Sequence, residues 1–472
     1  MPPSTRSSSA DFTRRAFLNT ALAGALVAPR LASGAETPQS TGFTEPARAL
    51  TVRDDADVIV CGAGPAGIAA ALTAARAGAR VRLFEVHGCL GGVWTAGLLT
   101  YIFDFNKPGI TAELKKRLDE RGARRSTRED NFVYEPEEMK ILLEEMCLAA
   151  GVTCQLHTRV VAAYCDGRRL TTIVTESKSG REAWRAPVFI DATGDGDLGA
   201  QAGCGWDIGQ QQDCPCQPMT LNALAVVKDA AALGHFMSFY QDSTRHIPAV
   251  EEFKAELARA GIKTSYGHPT LFHVRDNLVM LMINHEYGIK AFDSAQITEA
   301  TMRSRAEVFK VMRGLRTLGG VWDGIQIAAT AEQIGVRDGR RIHGHFTMTK
   351  EDLINGSRYD DAVARVTFGA DIHAADSKIN DKETISHGGF KTKPYDIPLR
   401  ALIAKDVDGL MMAGRCISGD FVAHASYRVT GNAVAMGEAA GAVASIAAQT
   451  KRLPHEVEWV EGEVLLTKIR PA

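Results

Sequence analysis

Residues Asp57-Val-Ile-Val-Cys-Gly62-Ala-Gly64-Pro65-Ala66-Gly67 leave this chain few folds to choose from. A short apolar strand runs into a glycine turn, and the turn opens an alanine-rich helix. A second strand, Arg80-Val-Arg-Leu-Phe-Glu85, follows and ends on an acid. Strand, turn, helix, strand and terminal carboxylate make up a dinucleotide-binding βαβ unit. Each glycine has its own task. Gly62 makes the tight turn, and Gly64 lets backbone approach a pyrophosphate at the helix N-terminus, beside Pro65 and Ala66. Gly67 lets the helix sit close on the strand. Glu85 lies about twenty residues on, where a carboxylate accepts the ribose hydroxyls of an adenosine. The chain is expected to bind an adenine dinucleotide.

What precedes this unit bears on compartment. Thr13-Arg14-Arg15-Ala-Phe17-Leu18-Asn19 leads into a mild Ala/Leu/Gly run from Thr20 to Ala28, and Ala32-Ser-Gly-Ala35 supplies small residues for cleavage. Paired arginines, a weakly apolar segment and a small-residue terminus read as a twin-arginine export signal over residues 1–35. The run is too short and too glycine-rich to span a bilayer. The expected destination is the periplasm or the extracellular space. This route carries folded, often cofactor-loaded proteins, which agrees with the dinucleotide reading.

Charge and cysteines exclude more than they assign. The net charge of −2 includes Arg6, Arg14, Arg15, Arg30 and Asp11, so the exported part sits near −5. No basic tract points to nucleic acid, and no later stretch is long and apolar enough to predict stable membrane insertion. Nine cysteines, an odd count, show no pairing pattern. Cys214-Pro-Cys216 lacks the Cys-x-x-Cys spacing of a redox or metal site, and no Cys-x-x-Cys-His haem site exists.

Along the chain, residues 36–53 read as a polar linker. Helical periodicity in Met139, Leu142, Leu143 and Met146 predicts a helix over Glu135–Ala149. Three β-like stretches (Thr153–Ala163, Arg169–Ser177, Glu182–Ala186) form a meander feeding the strand Pro187–Asp191. Residues 205–394 change character, with helices expected over Ile247–Ala260 and Thr298–Leu318 and strands over Leu271–Val274 and Leu278–Ile283. Residues 395–450 return to the first domain through a strand at Gly409–Gly414 and a small-residue helix over Asn432–Ala447; residues 451–472 form a tail.

Five motifs in order carry a resemblance: Gly62–Gly67 with Glu85; Gly91-Gly92-x-x-Thr95-x-Gly97; Asp191-Ala-Thr193-Gly194-Asp195-Gly-Asp197; Gly335-Val-Arg337-Asp-Gly-Arg340-Arg341-Ile-His-Gly344; and Pro398-Leu-Arg with Ala413-Gly414-Arg415-Cys-Ile-Ser418 and Met436-Gly-Glu-Ala-Ala-Gly441. From Asp57 to Ala448 the chain resembles the bacterial FAD-dependent oxidoreductase family among the glutathione-reductase-like flavoproteins, distant relatives of fumarate reductase flavoprotein subunits. The resemblance implies an α/β fold: an FAD-binding Rossmann domain with β-meander (54–204 and 395–450) and an inserted α+β substrate domain (205–394). It implies FAD contacts at Gly91, Gly92, Thr95, Val160, Thr193, Gly194, Asp195, Gly414, Arg415, Gly431, Asn432 and Ala433, besides the first turn. Two departures stand out. Arg415 occupies a place where many relatives carry an acid. Val93-Trp94-Thr95 stands where succinate dehydrogenase flavoproteins carry a flavin-linking histidine, although His87 lies nearby.

With the cofactor carrying redox chemistry, the protein's part is orientation and proton movement. His424, Tyr427 and Arg428 fall in Asp420–Arg428, expected as a loop between the last strand and the final helix. His424 is a candidate general base or a loop cap. Arg428 would hold a carboxylate or alkoxide, or the cofactor's own oxygens. Arg337, Arg340 and Arg341 form either an anion clamp, for which Arg337 and Arg341 are the candidates, or an inter-domain ion-pair hinge. Trp94 reads as a ring-stacking residue or a core aromatic. The histidines His268, His273, His285, His343, His345 and His373 read as core or surface residues, and no metal site is expected.

No second glycine fingerprint marks a nicotinamide domain. The expected activity is hydride transfer between FAD and a carbon bearing a hydroxyl or amine on a small molecule, with oxygen, a quinone or a redox protein as electron partner. The alternatives are a fumarate-reductase-like C=C reductase and a non-redox isomerase or hydratase. Export should need both arginines: the Arg14→Lys, Arg15→Lys double variant keeps charge but loses the planar guanidinium groups. Its folded, flavin-loaded precursor is expected to accumulate in the cytoplasm, as cell fractionation would show; mature protein outside at wild-type level would contradict the signal.

Overall fold

The computed structural model describes residues 42–470 apart from 129, 211–215, 241–242, 377 and 379–384. The export segment 1–35, residues 36–41 of the expected linker and Cys214 lie outside the described residues.

A five-stranded parallel sheet sets the frame, in the order Leu410–Met412, Val188–Asp191, Val58–Cys61, Val81–Phe84, Thr153–Gln155. Its central strand, Val-Ile-Val-Cys, is buried at every position, as a strand covered on both faces requires. The helix Pro65–Arg76 packs on the long helix Thr430–Thr450 backbone to backbone. A Cβ on Gly437 would lie 2.1 Å from the Ala66 carbonyl oxygen, and one on Gly441 2.3 Å from that of Ala70. Two glycines one turn apart thus let the first and last parts of the fold touch.

The meander consists of Arg159–Asp166, Arg169–Ser177 and Gly180–Arg185, paired antiparallel. The single β-stretch expected over Thr153–Ala163 is broken in two. Thr153–Gln155 closes the parallel sheet beside Val81–Phe84. The chain then turns at His157, φ 51°, and Thr158 N donates to Glu85 O before the meander begins. Val52–Arg53, at the end of the expected linker, pairs parallel with Gly180–Arg185. The expected helices start or end within a few residues of the observed ones. Asp293 caps Ser294–Leu318 by accepting from Gln296 N, which moves that start four residues upstream of the expected Thr298.

A second, six-stranded sheet runs in the order Ser243–Thr244, Met237–Tyr240, Thr270–Arg275, Leu278–Met282, Ala223–Val226, Gln326–Thr330. Phe253 and Leu257 of helix His246–Arg259 and Val308, Val311 and Leu315 of helix Ser294–Leu318 bury against it in a cluster of their own. A third cluster joins the six-stranded sheet to a small three-stranded one (Tyr101–Ile102, Asn131–Tyr134, Arg124–Arg128): Tyr101 stacks on Phe239 and Phe272 at 4.4 and 5.1 Å between ring centroids. Among the described residues, no helix is long and apolar enough to cross a membrane.

The helix contact is open to test. In an exposed helix Gly→Ala gains about 1 kcal/mol of propensity. At Gly441 the added methyl meets backbone, and overpacking of this kind costs about 1–3 kcal/mol. Gly441→Ala should therefore lower Tm in a thermal melt; a raised Tm would show that the helices have room to part.

Candidate active site

The first turn divides its glycines by task. Gly62 holds φ 95°, and a Cβ there would sit 2.5 Å from Ala192 O; one on Gly67 would sit 1.8 Å from Gly62 O. A Cβ on Gly64 meets nothing within 4 Å. Two glycines serve packing, and the third faces the space a phosphate would fill. The helix behind it has no side-chain cap, so its leading N–H groups and positive end point into that space. Glu85 is buried at the tip of the second strand, where Oε2 accepts from Ala63 N at 2.7 Å and Oε1 from His87 N at 2.9 Å. The acid expected to hold ribose also fastens the turn, and each oxygen keeps a lone pair.

The other motifs converge here. Gly91 N donates to Ala63 O at 2.8 Å, and a Cβ on Gly92 would come within 3.0 Å of Gly64 Cα. One on Gly414 would lie 3.2 Å from Ala66 Cβ and 3.9 Å from Ala433 Cβ. A Cβ on Gly431 would lie 2.2 Å from Asp104 O, so that helix start is packed onto the chain at Asp104. Asn432, fully buried in the first turn of Thr430–Thr450, has no protein partner for either amide atom. Buried polar atoms are rarely left unpaired. An open phosphate turn, two uncapped helix starts and an orphaned amide fit an anionic dinucleotide.

Several expected contacts are committed within the protein. Thr95 Oγ1 donates to Leu90 O at 2.6 Å. Thr193 Oγ1 donates to Asp191 Oδ1 at 2.7 Å, while Val160 O accepts from Gln201 Nε2 at 3.0 Å. Asp195 pairs with Arg415 at 3.0 Å across Gly194, and Arg415 also donates to Val336 O. Burial outweighs Arg415 and pushes the Asp195 carboxyl up to about 6. The arginine in place of an acid is thereby matched by an acid on the neighbouring motif. Trp94 is a fully buried core aromatic, edge-on to Phe105.

The stretch expected as a loop is a short helix, Phe421–Tyr427, because Asp420 caps it by accepting from Ala423 N at 2.7 Å. His424 points inward, wholly buried, with neither ring nitrogen hydrogen-bonded. Burial, reinforced by Arg341, Arg428 and Arg415, holds its pKa well below the usual imidazole value, so it is neutral. Tyr427 donates to Ile417 O at 3.0 Å, and burial pushes its phenol up. Arg428 Nη2 donates to Asp371 Oδ2 at 3.2 Å, Asp371 O at 2.9 Å and Gln217 Oε1 at 3.3 Å, while its Nε has no partner.

The arginine segment splits. Arg341 is consumed by Asp338, Gly419 O and Gly209 O. Arg340 binds Asp195 O and Asp197 and covers the Phe292 ring. Arg337 donates only to neutral oxygens, Pro218 O and Thr220 Oγ1, with no carboxylate at ion-pair distance among the described residues. His343 bonds Asp207 at the surface and His345 faces His455, so this His-x-His does not act as a pair. No metal-holding group of His, Cys, Asp or Glu occurs among the described residues. Two histidines grouped above with the core or surface, His285 and His373, lie 5.1 Å apart beside Arg337 and Arg428. Nothing in their spacing signals this, since they meet only through tertiary structure.

Comparison with known proteins gives the family. The model of the family described as FAD dependent oxidoreductase matches residues 57–468. A 69-residue stretch is 41% identical to thiamine thiazole synthase of Pyrococcus horikoshii, spanning 14% of this chain and 25% of that protein. Among solved structures, a geranylgeranyl bacteriochlorophyll reductase-like protein of Thermoplasma acidophilum is similar with TM-score 0.46 and 13% identity, covering 89% of this chain and 82% of that one. The p-nitrophenol 4-monooxygenase of Pseudomonas putida DLL-E4 is similar with TM-score 0.46 and 11% identity, covering 90% and 91%. With the family pattern running along the whole cradle, the protein belongs to the FAD dependent oxidoreductase family: it is an enzyme, and FAD is its cofactor.

Proposed function

We propose that the protein is an exported dehydrogenase or oxidase that removes hydrogen from a carbon bearing a hydroxyl or amine on a small organic substrate. Bound FAD supplies two-electron redox chemistry. The observation carrying this reading is His424: a neutral imidazole with both nitrogens free of protein partners, between the strand ending at Met412 and the helix start at Thr430. Oxidising an alcohol requires a group to accept the hydroxyl proton, and a neutral imidazole is built for that. Arg428 would steady developing negative charge, its Nε being unspent. In this reading residues 205–394 are the substrate domain of a glutathione-reductase-like flavoprotein. Electrons leave to oxygen, a quinone or a redox protein, and residues 1–35 direct twin-arginine export to the periplasm or beyond.

A second reading, reduction of a C=C bond with arginine as proton donor, draws on Arg428, whose guanidinium burial pulls down to about 10. Anaerobic titration separates the two. Bleaching of the flavin absorbance by alcohols, amines or hydroxy acids supports oxidation; reoxidation of pre-reduced enzyme by unsaturated acids supports reduction.

His424→Ala should keep FAD and fold but slow flavin bleaching by about 10²–10⁴-fold, the range for losing a general base. Because Arg341, Arg428 and Arg415 oppose protonation, the wild-type rate should hold as pH falls from 8 to 6. An ordinary imidazole base, with pKa near 6.5, would lose more than half its rate there. A wild-type rate in the variant would remove His424 from the mechanism.

The cofactor cradle has its own test. Gly64→Val should give colourless protein, because its side chain fills the phosphate space. Glu85→Ala should weaken FAD retention by about 10–100-fold, the equivalent of one charged hydrogen bond of about 1.5–3 kcal/mol. Full yellow colour in Gly64→Val, read from the absorbance spectrum, would overturn the placement of the pyrophosphate.

A further inference from the structure

Beyond the cofactor cradle lies a cluster of buried polar side chains that no sequence motif announces. Tyr266 packs on the His285 ring at 4.0 Å between centroids, and His285 meets His373 at 5.1 Å. Arg337, Arg428 and Asp371 complete the group; Arg337 acts electrostatically on both imidazoles and on Asp371. Gln217 ties it to the helix end before Thr430, accepting from His373 N at 3.1 Å and from Arg428.

Tyr287 Oη meets Ser265 O at 3.0 Å and His285 Nδ1 at 3.3 Å, and His285 Nε2 is left as a bare ring nitrogen. His373 Nε2 faces the Asp371 carboxylate at 3.2 Å and must carry the proton, leaving Nδ1 as a bare acceptor. Both atoms are buried without a partner, as are two obligate donors, Gln217 Nε2 and Arg428 Nε. Burial and the arginines hold both imidazoles neutral, His373 down to about 4.

Among the described residues the charges of this cluster do not balance. Asp371 pairs with Arg428, and Asp338 with Arg341, whereas Arg337 meets no carboxylate among the described residues. A part-buried guanidinium with no carboxylate at ion-pair distance among the described residues is suited to receive an anion. We propose that this cluster is the substrate subsite and that it takes a small 2-hydroxy carboxylic acid: the carboxylate is held by Arg337 and Gln217 Nε2, and the hydroxyl donates to His373 Nδ1. An amino acid fits less well, because its ammonium would face two guanidinium groups and a carboxylate already paired. The inference rests on the oxidoreductase reading above, names the class of substrate for it and, for that class, gives the hydroxyl proton to His373 in place of His424.

The test uses 2-hydroxy-2-methylpropanoate, which carries both recognition groups but no C2–H and cannot be oxidised. Isothermal titration into the FAD-loaded enzyme should show binding, weaker by at least about tenfold for 2-methylpropanoate, which lacks the hydroxyl, and for the corresponding neutral amide. Arg337→Gln should lose at least about tenfold for both acids, with Arg337→Lys recovering part of it. Since Arg337→Gln could unfold the cluster, His373→Phe is the second variant: it should erase the preference for the hydroxy acid while leaving the affinity for 2-methylpropanoate. No binding, or binding indifferent to all three substitutions, overturns the proposal. Flavin bleaching by sugars or amines but by no 2-hydroxy acid overturns it and leaves the dehydrogenase reading standing. Tight, Arg337-dependent binding with no bleaching by any 2-hydroxy acid supports the subsite and overturns the direction of chemistry.

Discussion

The approach of backbone to backbone around Gly62 and Gly67 is the constraint on which the rest depends. A Cβ at Gly67 would lie 1.8 Å from the Gly62 carbonyl, and one at Gly62 would lie 2.5 Å from that of Ala192. No side chain is tolerated at either place, so strand, turn and helix are locked against the strand Val188–Asp191. That lock aims the start of Pro65–Arg76 at the open space beside Gly64. Gly437 and Gly441 repeat the device, seating Thr430–Thr450 on the same helix. Two positive helix ends are thereby brought to one place, and an anionic cofactor is the natural complement.

Around this rigid frame, buried charge is handled in two ways. Arg341 and Asp338 form an internal pair whose remaining arginine donors go to backbone carbonyls at Gly419 and Gly209. Such a fully satisfied pair joins distant segments and costs a great deal to break on one side. Asp195 and Arg415 do the same between two cofactor motifs. Arg337, from the same arginine segment, has no carboxylate at ion-pair distance among the described residues and lies beside imidazoles with bare nitrogens. Satisfied pairs belong to the scaffold; the proposed substrate would complete the balance at the group they leave over.

Much of the fold was legible in the chain because its signals are local. The glycine spacing, the apolar run at Val58–Cys61 and the periodic positions Met139, Leu142, Leu143 and Met146 each report on a few consecutive residues, and the observed elements follow them closely. Local reading failed where a neighbour decided. Thr153–Ala163 is uniformly β-like, yet it splits between two sheets because its first residues pair with Val81–Phe84 and Glu85 O draws in Thr158. Asp420–Arg428 looks like a connector and is a helix because Asp420 supplies the cap.

The sequence by itself determined a dinucleotide fold, because phosphate binding needs glycines at fixed spacing and an acid at the next strand's end, which are properties of one short segment; FAD followed from the resemblance that all five motifs carry. It also singled out His424 and the arginine segment as chemically interesting. Only the tertiary structure decided which arginines are bound up in ties and which, among the described residues, meets no carboxylate. It alone brought His285 and His373 together, from a sheet-end loop and a short strand far apart in the chain. The physical reason is that charge balance and hydrogen-bond satisfaction are properties of a three-dimensional neighbourhood. A residue's type states what it can donate or accept, and its neighbours settle whether that capacity is already used.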